Sequence, residues 1–282
     1  MNPYHHQPLD AKKWVEPSKI LLCNPAYFGV AYEINAWMDK QNQPDPSKSI
    51  KQWNLLHDYL MFSGADIKYI SPSMNQPDMV FTANAGLVRG NTVVLSNFKN
   101  EERQGEKAHY KEWFLKKGYR VVELPEDVFF EGAGDAIFYR DTLFIGYGFR
   151  TSLESHKLVA SVFGVDYVSC ELVDPYFYHL DTCFLSLGDI LVYHKDAFSK
   201  KSITRILEKV VKKVKPERAL RLITITSEQA NQFACNSVNI GPNILTPADD
   251  CEDIFYDYNV IKCDMSEFIK AGGAVKCLTL KL

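Results

Sequence analysis

No Cys-x-x-Cys pair occurs in the sequence, and its seven cysteines, Cys23, Cys170, Cys183, Cys235, Cys251, Cys263 and Cys277, are odd in number. That usage argues against a paired-cysteine zinc site or a disulfide framework and points to free thiols in a reducing cytoplasm. His57, His109, His156 and His194 stand without partners at metal-ligand spacing, so neither a metal nor another cofactor is expected. No apolar run approaches the ~20 residues of a membrane-spanning helix. The opening Met1-Asn2-Pro3-Tyr4-His5-His6 lacks the basic-then-apolar pattern of a secretion signal. Charge of one sign is missing as well: 32 basic and 35 acidic residues leave −3 overall, a balance that supplies no long-range field for nucleic acid or an anionic membrane. The one basic run, Lys209 to Lys215, is interleaved with valines and reads as a solvated helix face. Small molecules are therefore the expected partners.

What the chain has instead is a repeat. Met79 to Asn84 leads through Gly86-Leu87-Val88 to a turn at Arg89-Gly90-Asn91, and Thr92-Val93-Val94-Leu95 returns as a second strand. A helix over Glu101 to Lys117 and a strand at Tyr119 to Leu124 complete the unit. The same order recurs from Phe129 with a turn at Arg140-Asp141, from Tyr178 with a turn at Gly188-Asp189, and from Phe233 with a turn at Gly241-Pro242-Asn243. Self-similarity at a period of tens of residues marks a repeat or propeller architecture. Before the first unit, the apolar run Lys19 to Cys23 reads as a buried strand, and an aromatic-rich loop carries Asn24, Glu33 and Asn35.

The chain closes on Ala271-Gly272-Gly273-Ala274-Val275-Lys276-Cys277-Leu278-Thr279. Two glycines permit another segment to approach the turn closely, and Cys277 is placed where a short strand begins. A free cysteine there ordinarily packs as a small hydrophobe. Polar residues on the first strands, however, step from Asn84 to Glu131, His179, Asn236 and Cys277, at intervals of 47, 48, 57 and 41 residues. If each unit is a blade around one axis, these five share a cavity; taken singly, each satisfies a local hydrogen bond as buried polar groups usually do.

The ordered motifs Phe81-Thr82-Ala83-Asn84, Glu131-Gly132-Ala133-Gly134-Asp135, His179-Leu180-Asp181-Thr182 and Gly272 to Thr279 resemble the guanidino-group-modifying superfamily, the amidinotransferase-like or pentein proteins. The resemblance covers nearly the whole chain and implies one α/β domain, residues 1–282, folded as a five-bladed pseudo-symmetric propeller of ββαβ units. Within the superfamily, Tyr32 to Met38 and the Asn84 motif are most similar to arginine dihydrolases. Deiminases and dimethylarginine hydrolases usually carry aspartate where Asn84 stands. Ala36 departs from the dihydrolase pattern, in which proline is expected, and the absence of a second domain after Cys277 argues against a fused cyclodeaminase.

The resemblance implies a chemistry that suits these residue types. Cys277 is the expected nucleophile toward the guanidinium carbon, and His179 the acid and base that protonates the leaving nitrogen and then activates water. Glu131 and Asp181 are expected to accept hydrogen bonds from the guanidinium, and Arg150 and Arg103 to bind the substrate carboxylate. Asn35 and Asn236 are further candidates for substrate contact. Asp135 is expected to serve structure more than substrate, and Arg103, lying among Glu101, Glu102 and Glu106, has local pairing as its alternative. Uncharged Asn84 implies that a neutral ureido product is retained and attacked again, giving ornithine, ammonia and carbon dioxide. A deiminase or methylarginine hydrolase, an amidinotransferase and a catalytically silent binding propeller remain open, as does a homo-oligomer.

Overall fold

Residues 17–212 and 221–282 are described by a computed structural model, so the N-terminal segment before Pro17 and the lysines at 213 and 215 lie outside the described residues. The chain builds five three-stranded sheets as the blades of a propeller. Strand β1 (Lys19–Cys23) is followed by helix α1 (Pro46–Phe62) and β2 (Asp66–Ile70). The helix starts where Asp45 accepts from the Lys48 N–H and Pro46 occupies the first turn, a position that needs no amide donor. The next blade contains β3 (Gly86–Arg89), β4 (Thr92–Leu95), helices α2 (Glu101–Gln104) and α3 (Glu106–Lys116), and β5 (Arg120–Val122). Helix α4 (Gly132–Asp135) leads into β6 (Ala136–Tyr139), β7 (Thr142–Tyr147), α5 (Ser155–Phe163) and β8 (Asp166–Glu171). The fourth blade holds β9 (Phe184–Leu187), β10 (Ile190–Tyr193), α6 (Lys200–Lys212) and β11 (Arg221–Thr224). Helix α7 (Ser227–Asn231) precedes β12 (Val238–Ile240), β13 (Asn243–Thr246) and β14 (Asn259–Lys262), and the chain ends with α8 (Ser266–Ile269) and β15 (Leu280–Lys281).

Each of the four middle blades is an antiparallel hairpin whose second strand pairs in parallel with the third. A parallel pair needs a crossover of a dozen or so residues, which the helices provide in all but the last of them. The first sheet is assembled from both ends of the chain: β1 pairs in parallel with β2 and antiparallel with β15, so the segment carrying Cys277 is fastened beside the chain's first described strand. Among the described residues, no helix is long and apolar enough to cross a membrane.

Two expectations are corrected. The helix expected over Glu101 to Lys117 is two, α2 and α3, parted at Gly105. More consequentially, the polar residues assigned to first strands precede them. Asn84 lies in a 3₁₀ turn over Thr82–Ala85, Glu131 caps α4, His179 precedes a 3₁₀ turn over Leu180–Thr182, and Asn236 and Cys277 occupy turns before β12 and β15. Cys277 therefore does not begin a strand. A pleated strand sends alternate side chains to opposite faces, whereas a tight turn before each strand leaves its backbone amides and side chains directed at the end of the barrel-like centre.

Candidate active site

The five turns meet through hydrogen bonds that cross from blade to blade. The Ala83 N–H donates to the Cys277 carbonyl at 3.1 Å, Asn84 Nδ2 donates to the Glu131 carbonyl at 3.1 Å, and the Lys276 N–H donates to the Asn236 carbonyl at 3.1 Å. Glu131 is fully buried, and its Oε2 receives Arg150 Nη1 at 3.0 Å and lies 2.9 Å from His179 Nε2. Burial alone would raise a carboxyl, but the Arg150 guanidinium and the His179 contact outweigh it and hold Glu131 well below the usual carboxylate range. Arg150 also donates to the Ile34 carbonyl at 3.0 Å and lies 4.8 Å over the Tyr178 ring, a buried cation seated on an aromatic face.

Asp135 stands behind this group. Its Oδ2 accepts from Thr151 Oγ1 at 2.6 Å and its Oδ1 from the Leu180 N–H at 3.0 Å, while Thr151 Oγ1 accepts the Glu131 N–H at 3.0 Å. Burial raises Asp135 to about 6. Both oxygens are committed to framing Glu131 and the His179 turn.

On the opposite side, Asn84 Oδ1 accepts from Arg103 Nη1 at 3.1 Å. Arg103 is 3% exposed, pairs with Glu106 through Nε at 2.7 Å and Nη2 at 2.9 Å, and reaches the Asp78 carbonyl at 3.3 Å. Local pairing, the alternative for this arginine, is realised with Glu106 alone of the three glutamates named. One of its five N–H groups, on Nη1, remains uncommitted. Because Arg103 can only donate, Asn84 must turn its oxygen toward it, and the amide NH₂ consequently faces the Glu131 turn. That NH₂ lies against Gly134, where a side chain would collide with Asn84 Nδ2 and crowd His179.

The thiol occupies the third corner. Cys277 is 3% exposed, its Sγ accepts from Asn236 Nδ2 at 3.0 Å, and it donates to the Asp181 carboxylate, 3.6 Å to each oxygen. Asn236 Oδ1 receives the Ala274 and Cys277 N–H groups, each at 3.1 Å, and its Nδ2 also reaches the Asp181 carbonyl at 3.2 Å. Burial, with the nearby Asp181 carboxylate, pushes the Cys277 thiol far up, and burial raises Asp181 to about 7. The aromatic loop closes above. Asn35 Nδ2 donates to the Ala271 carbonyl at 3.1 Å, its oxygen accepts the Trp37 N–H at 2.9 Å, and Trp37 Nε1 donates to the Tyr176 carbonyl at 2.8 Å. Asn35 is thereby occupied in fastening the loop to the cysteine turn. Gly272, at φ 85°, lets this happen: a Cβ there would stand 2.9 Å from both Asn35 Oδ1 and the Tyr178 hydroxyl.

Among the buried polar atoms of the described residues that have no hydrogen-bond partner are Glu131 Oε1, Asp78 Oδ1 and His179 Nδ1, with the Tyr32 hydroxyl beside Asp78. Buried polar atoms are rarely left so, and two carboxylate oxygens beside an imidazole nitrogen form a set that a cationic ligand satisfies. Sequence reasoning missed Asp78, and named Glu106 only as one of three possible local partners of Arg103. Asp78 sits six residues before Asn84 in a Pro-Asp step that reads as a turn, and Glu106 lies in an acidic helical stretch that reads as surface. The signal available was the single arginine within that acidic stretch.

The family described as N,N dimethylarginine dimethylhydrolase, eukaryotic, matches residues 24–282. The chain is 41% identical over 272 residues to the bifunctional arginine dihydrolase/ornithine cyclodeaminase ArgZ of Synechocystis, covering 94% of this chain and 37% of that protein. It thus spans little more than a third of that relative's length. It is 34% identical over 277 residues to the N(G),N(G)-dimethylarginine dimethylaminohydrolase of Mycobacterium tuberculosis, covering 96% of this chain and 88% of that one. A crystal structure of a variant of the cyanobacterial ArgZ N-terminal domain, covalently bound to a reaction intermediate, superposes with a TM-score of 0.86 at 41% identity, covering 94% of this chain and 97% of that one.

Proposed function

Because the chain belongs to the N,N-dimethylarginine dimethylhydrolase family, we propose that it hydrolyses the guanidinium group of free L-arginine through a covalent adduct on Cys277, as an arginine dihydrolase of the cytoplasm built on one domain. The observation that carries this reading is the thiol held between the Asn236 amide and the Asp181 carboxylate, in a site whose unpartnered atoms include the carboxylate oxygens Glu131 Oε1 and Asp78 Oδ1 and the imidazole nitrogen His179 Nδ1. The crystallised covalent intermediate on the ArgZ domain supports a covalent route.

The arginine guanidinium binds face-on to Sγ, donating to Glu131 Oε1 and to Asp181. Its α-ammonium meets the buried Asp78 carboxyl, which lies beside the Tyr32 hydroxyl, and its carboxylate takes N–H groups that Arg150 and Arg103 have left over. At rest the thiol is protonated and inert. Arrival of a cation beside the sulfur lowers its pKa, and the proton passes to Asp181, raised to about 7 and thus matched to accept it. Sulfur then attacks the central carbon, and His179 protonates the departing nitrogen, which leaves as ammonia. Water, deprotonated by His179, adds to the adduct carbon, the C–S bond breaks, and citrulline forms. A second attack and a second water convert citrulline into ornithine, carbon dioxide and ammonia. Asn84 favours this second cycle because its amide can hold a neutral ureido group without demanding a cation.

Separating ornithine, citrulline and ammonia by chromatography tests the reading. Arginine is expected to yield ornithine with two equivalents of ammonia and little free citrulline. Citrulline as the sole product overturns the dihydrolase assignment and leaves the cysteine mechanism standing. The mycobacterial relative favours one second reading, a dimethylarginine hydrolase, for which the same assay with dimethylarginine shows citrulline and dimethylamine while arginine is left untouched.

A further inference from the structure

A cavity of about 330 Å³ runs along the inside of the propeller and backs onto the nucleophile. Asp181 and Lys276 line its inner end, and each sits directly against Cys277: Asp181 through its carboxylate 3.6 Å from Sγ, Lys276 as the preceding residue. Ser186 and Ser237 line its wall, the latter adjoining Asn236. Arg140 and Lys281, both exposed, stand at its other end. The direction of the cavity follows from the topology. Strands β6 and β9 leave the site turns at their first residues and reach the hairpin tips at their last, so Arg140 marks the face opposite the site. Four strand residues span roughly 13 Å. The substrate side is differently built, since the loop bearing Ile34, Asn35 and Trp37 is bonded across it to Arg150, Ala271 and Tyr176.

We propose that this cavity is a rear channel through which water reaches the Cys277 adduct and ammonia leaves it, while arginine enters from the loop-covered face. The proposal rests on the hydrolytic reading given above. That reaction uses a water and releases an ammonia in each cycle while the ornithine portion still fills the front of the pocket, so the small reactants need a path that does not pass the bound amino acid. Ser186 and Ser237 offer them hydrogen bonds along a wall that Ile137, Phe184 and Val238 otherwise make apolar, and the four-residue strands are short enough for a file of a few waters. In the step served, the water oxygen bonds the adduct carbon, the carbon–sulfur bond breaks, the thiolate is regenerated, and the water proton passes to His179.

Filling the channel tests this. Ser186 is half-buried on β9 and makes no contact with the proposed substrate groups, so Ser186→Leu obstructs the channel, with Ser186→Ala as the control that leaves it open. Ile137→Phe narrows the same space from β6 and serves should the leucine variant fail to fold. Each protein is mixed with arginine, quenched at intervals and weighed intact. The obstructed variants are expected to form the Cys277 adduct at the parental rate but to break it down ~10-fold or more slowly, so that the adduct accumulates; Ser186→Ala behaves as the parent. A defect that slows formation and breakdown equally, or adduct breakdown unchanged in both filled variants, overturns the channel. Absence of any adduct and any turnover in the unsubstituted protein overturns the hydrolytic reading, and the channel with it.

Discussion

Asn236→Asp isolates what holds the sulfur. The substitution keeps the oxygen that accepts the Ala274 and Cys277 N–H groups, each at 3.1 Å, so the cysteine turn retains its backbone support. What it removes is the NH₂ that donates to Sγ at 3.0 Å and to the Asp181 carbonyl at 3.2 Å, and it sets a second carboxylate beside one already 3.6 Å from the sulfur. A hydrogen bond to a charged acceptor contributes about 1.5–3 kcal/mol, which is lost from the thiolate and not from the thiol. At 1.36 kcal/mol per unit, the thiol pKa rises by about 1–2 units, before the added repulsion between carboxylate and thiolate is counted. Iodoacetamide alkylation of the Cys277 peptide, followed by mass spectrometry from pH 6 to 10, is expected to slow ~10- to 100-fold at each pH below the pKa. Turnover should fall at least as far, while arginine binding changes little. Parental alkylation rates across that range would refute the assignment of Asn236 as the donor that stabilises the thiolate.

Cys277→Ser should abolish turnover with arginine binding retained, which calorimetry checks; a normal rate removes the mechanism. Asn84→Asp should accumulate citrulline, because a carboxylate prefers the guanidinium to the neutral product by about a kcal/mol or two; unchanged ornithine yield in the chromatographic assay counts against the role given to Asn84. Asp181 and Asp135 have folded pKa values of about 7 and about 6, above their unfolded values, so the folded state binds the extra protons and stability contributed by both is lost as pH rises from ~4 to ~7; urea titrations of Asp181→Asn should show a flatter decline. Glu131 has the opposite sign: its depressed folded pKa contributes stability above ~pH 4.5 that is lost in more acid solution, a loss that Glu131→Gln should not display.

The repeat and the convergence of Asn84, Glu131, His179, Asn236 and Cys277 were legible because each blade begins with a polar residue ahead of an apolar strand and a turn. Hairpin tips were equally legible: Gly90, Gly188 and Gly241 adopt φ of 59°, 61° and 58°, and the remaining tip, Arg140, was recognised by its Arg-Asp step although it holds φ 52° without being glycine. The placement of the polar residues on strands was misjudged because a 3₁₀ turn of three or four residues carries no periodicity to distinguish it from the start of a strand. Which of the three neighbouring glutamates clamps Arg103, and that the clamp is buried, was hidden for a different reason. An acidic helical stretch reads as solvated until the packing of Phe98, 4.7 Å beneath the guanidinium, and the burial of both partners are known. Sequence spacing gives the candidates for a contact, whereas burial decides which of them is made.

The same clamp bears on why an amide stands at position 84. Around the proposed substrate, the buried carboxyl groups of Asp78, Glu106, Glu131, Asp135 and Asp181 outnumber the two guanidiniums of Arg103 and Arg150. Arginine, zwitterionic at one end and cationic at the other, brings one positive charge to these groups; citrulline brings none. Aspartate at position 84 would add a further carboxyl group to the set, and its new oxygen would face the Glu131 carbonyl now 3.1 Å from Asn84 Nδ2, two acceptors with no proton between them. The ureido product would then be expelled before a second attack, since each further uncompensated charge in a buried site raises the free energy of retaining a neutral ligand relative to a cation. On this argument the product is decided by the charge at residue 84 together with the Arg103–Glu106 pair that orients it. Loosening the pair with Glu106→Gln should shift products toward citrulline even though residue 84 is unchanged; identical product ratios in that variant and its parent would confine the control to Asn84 alone.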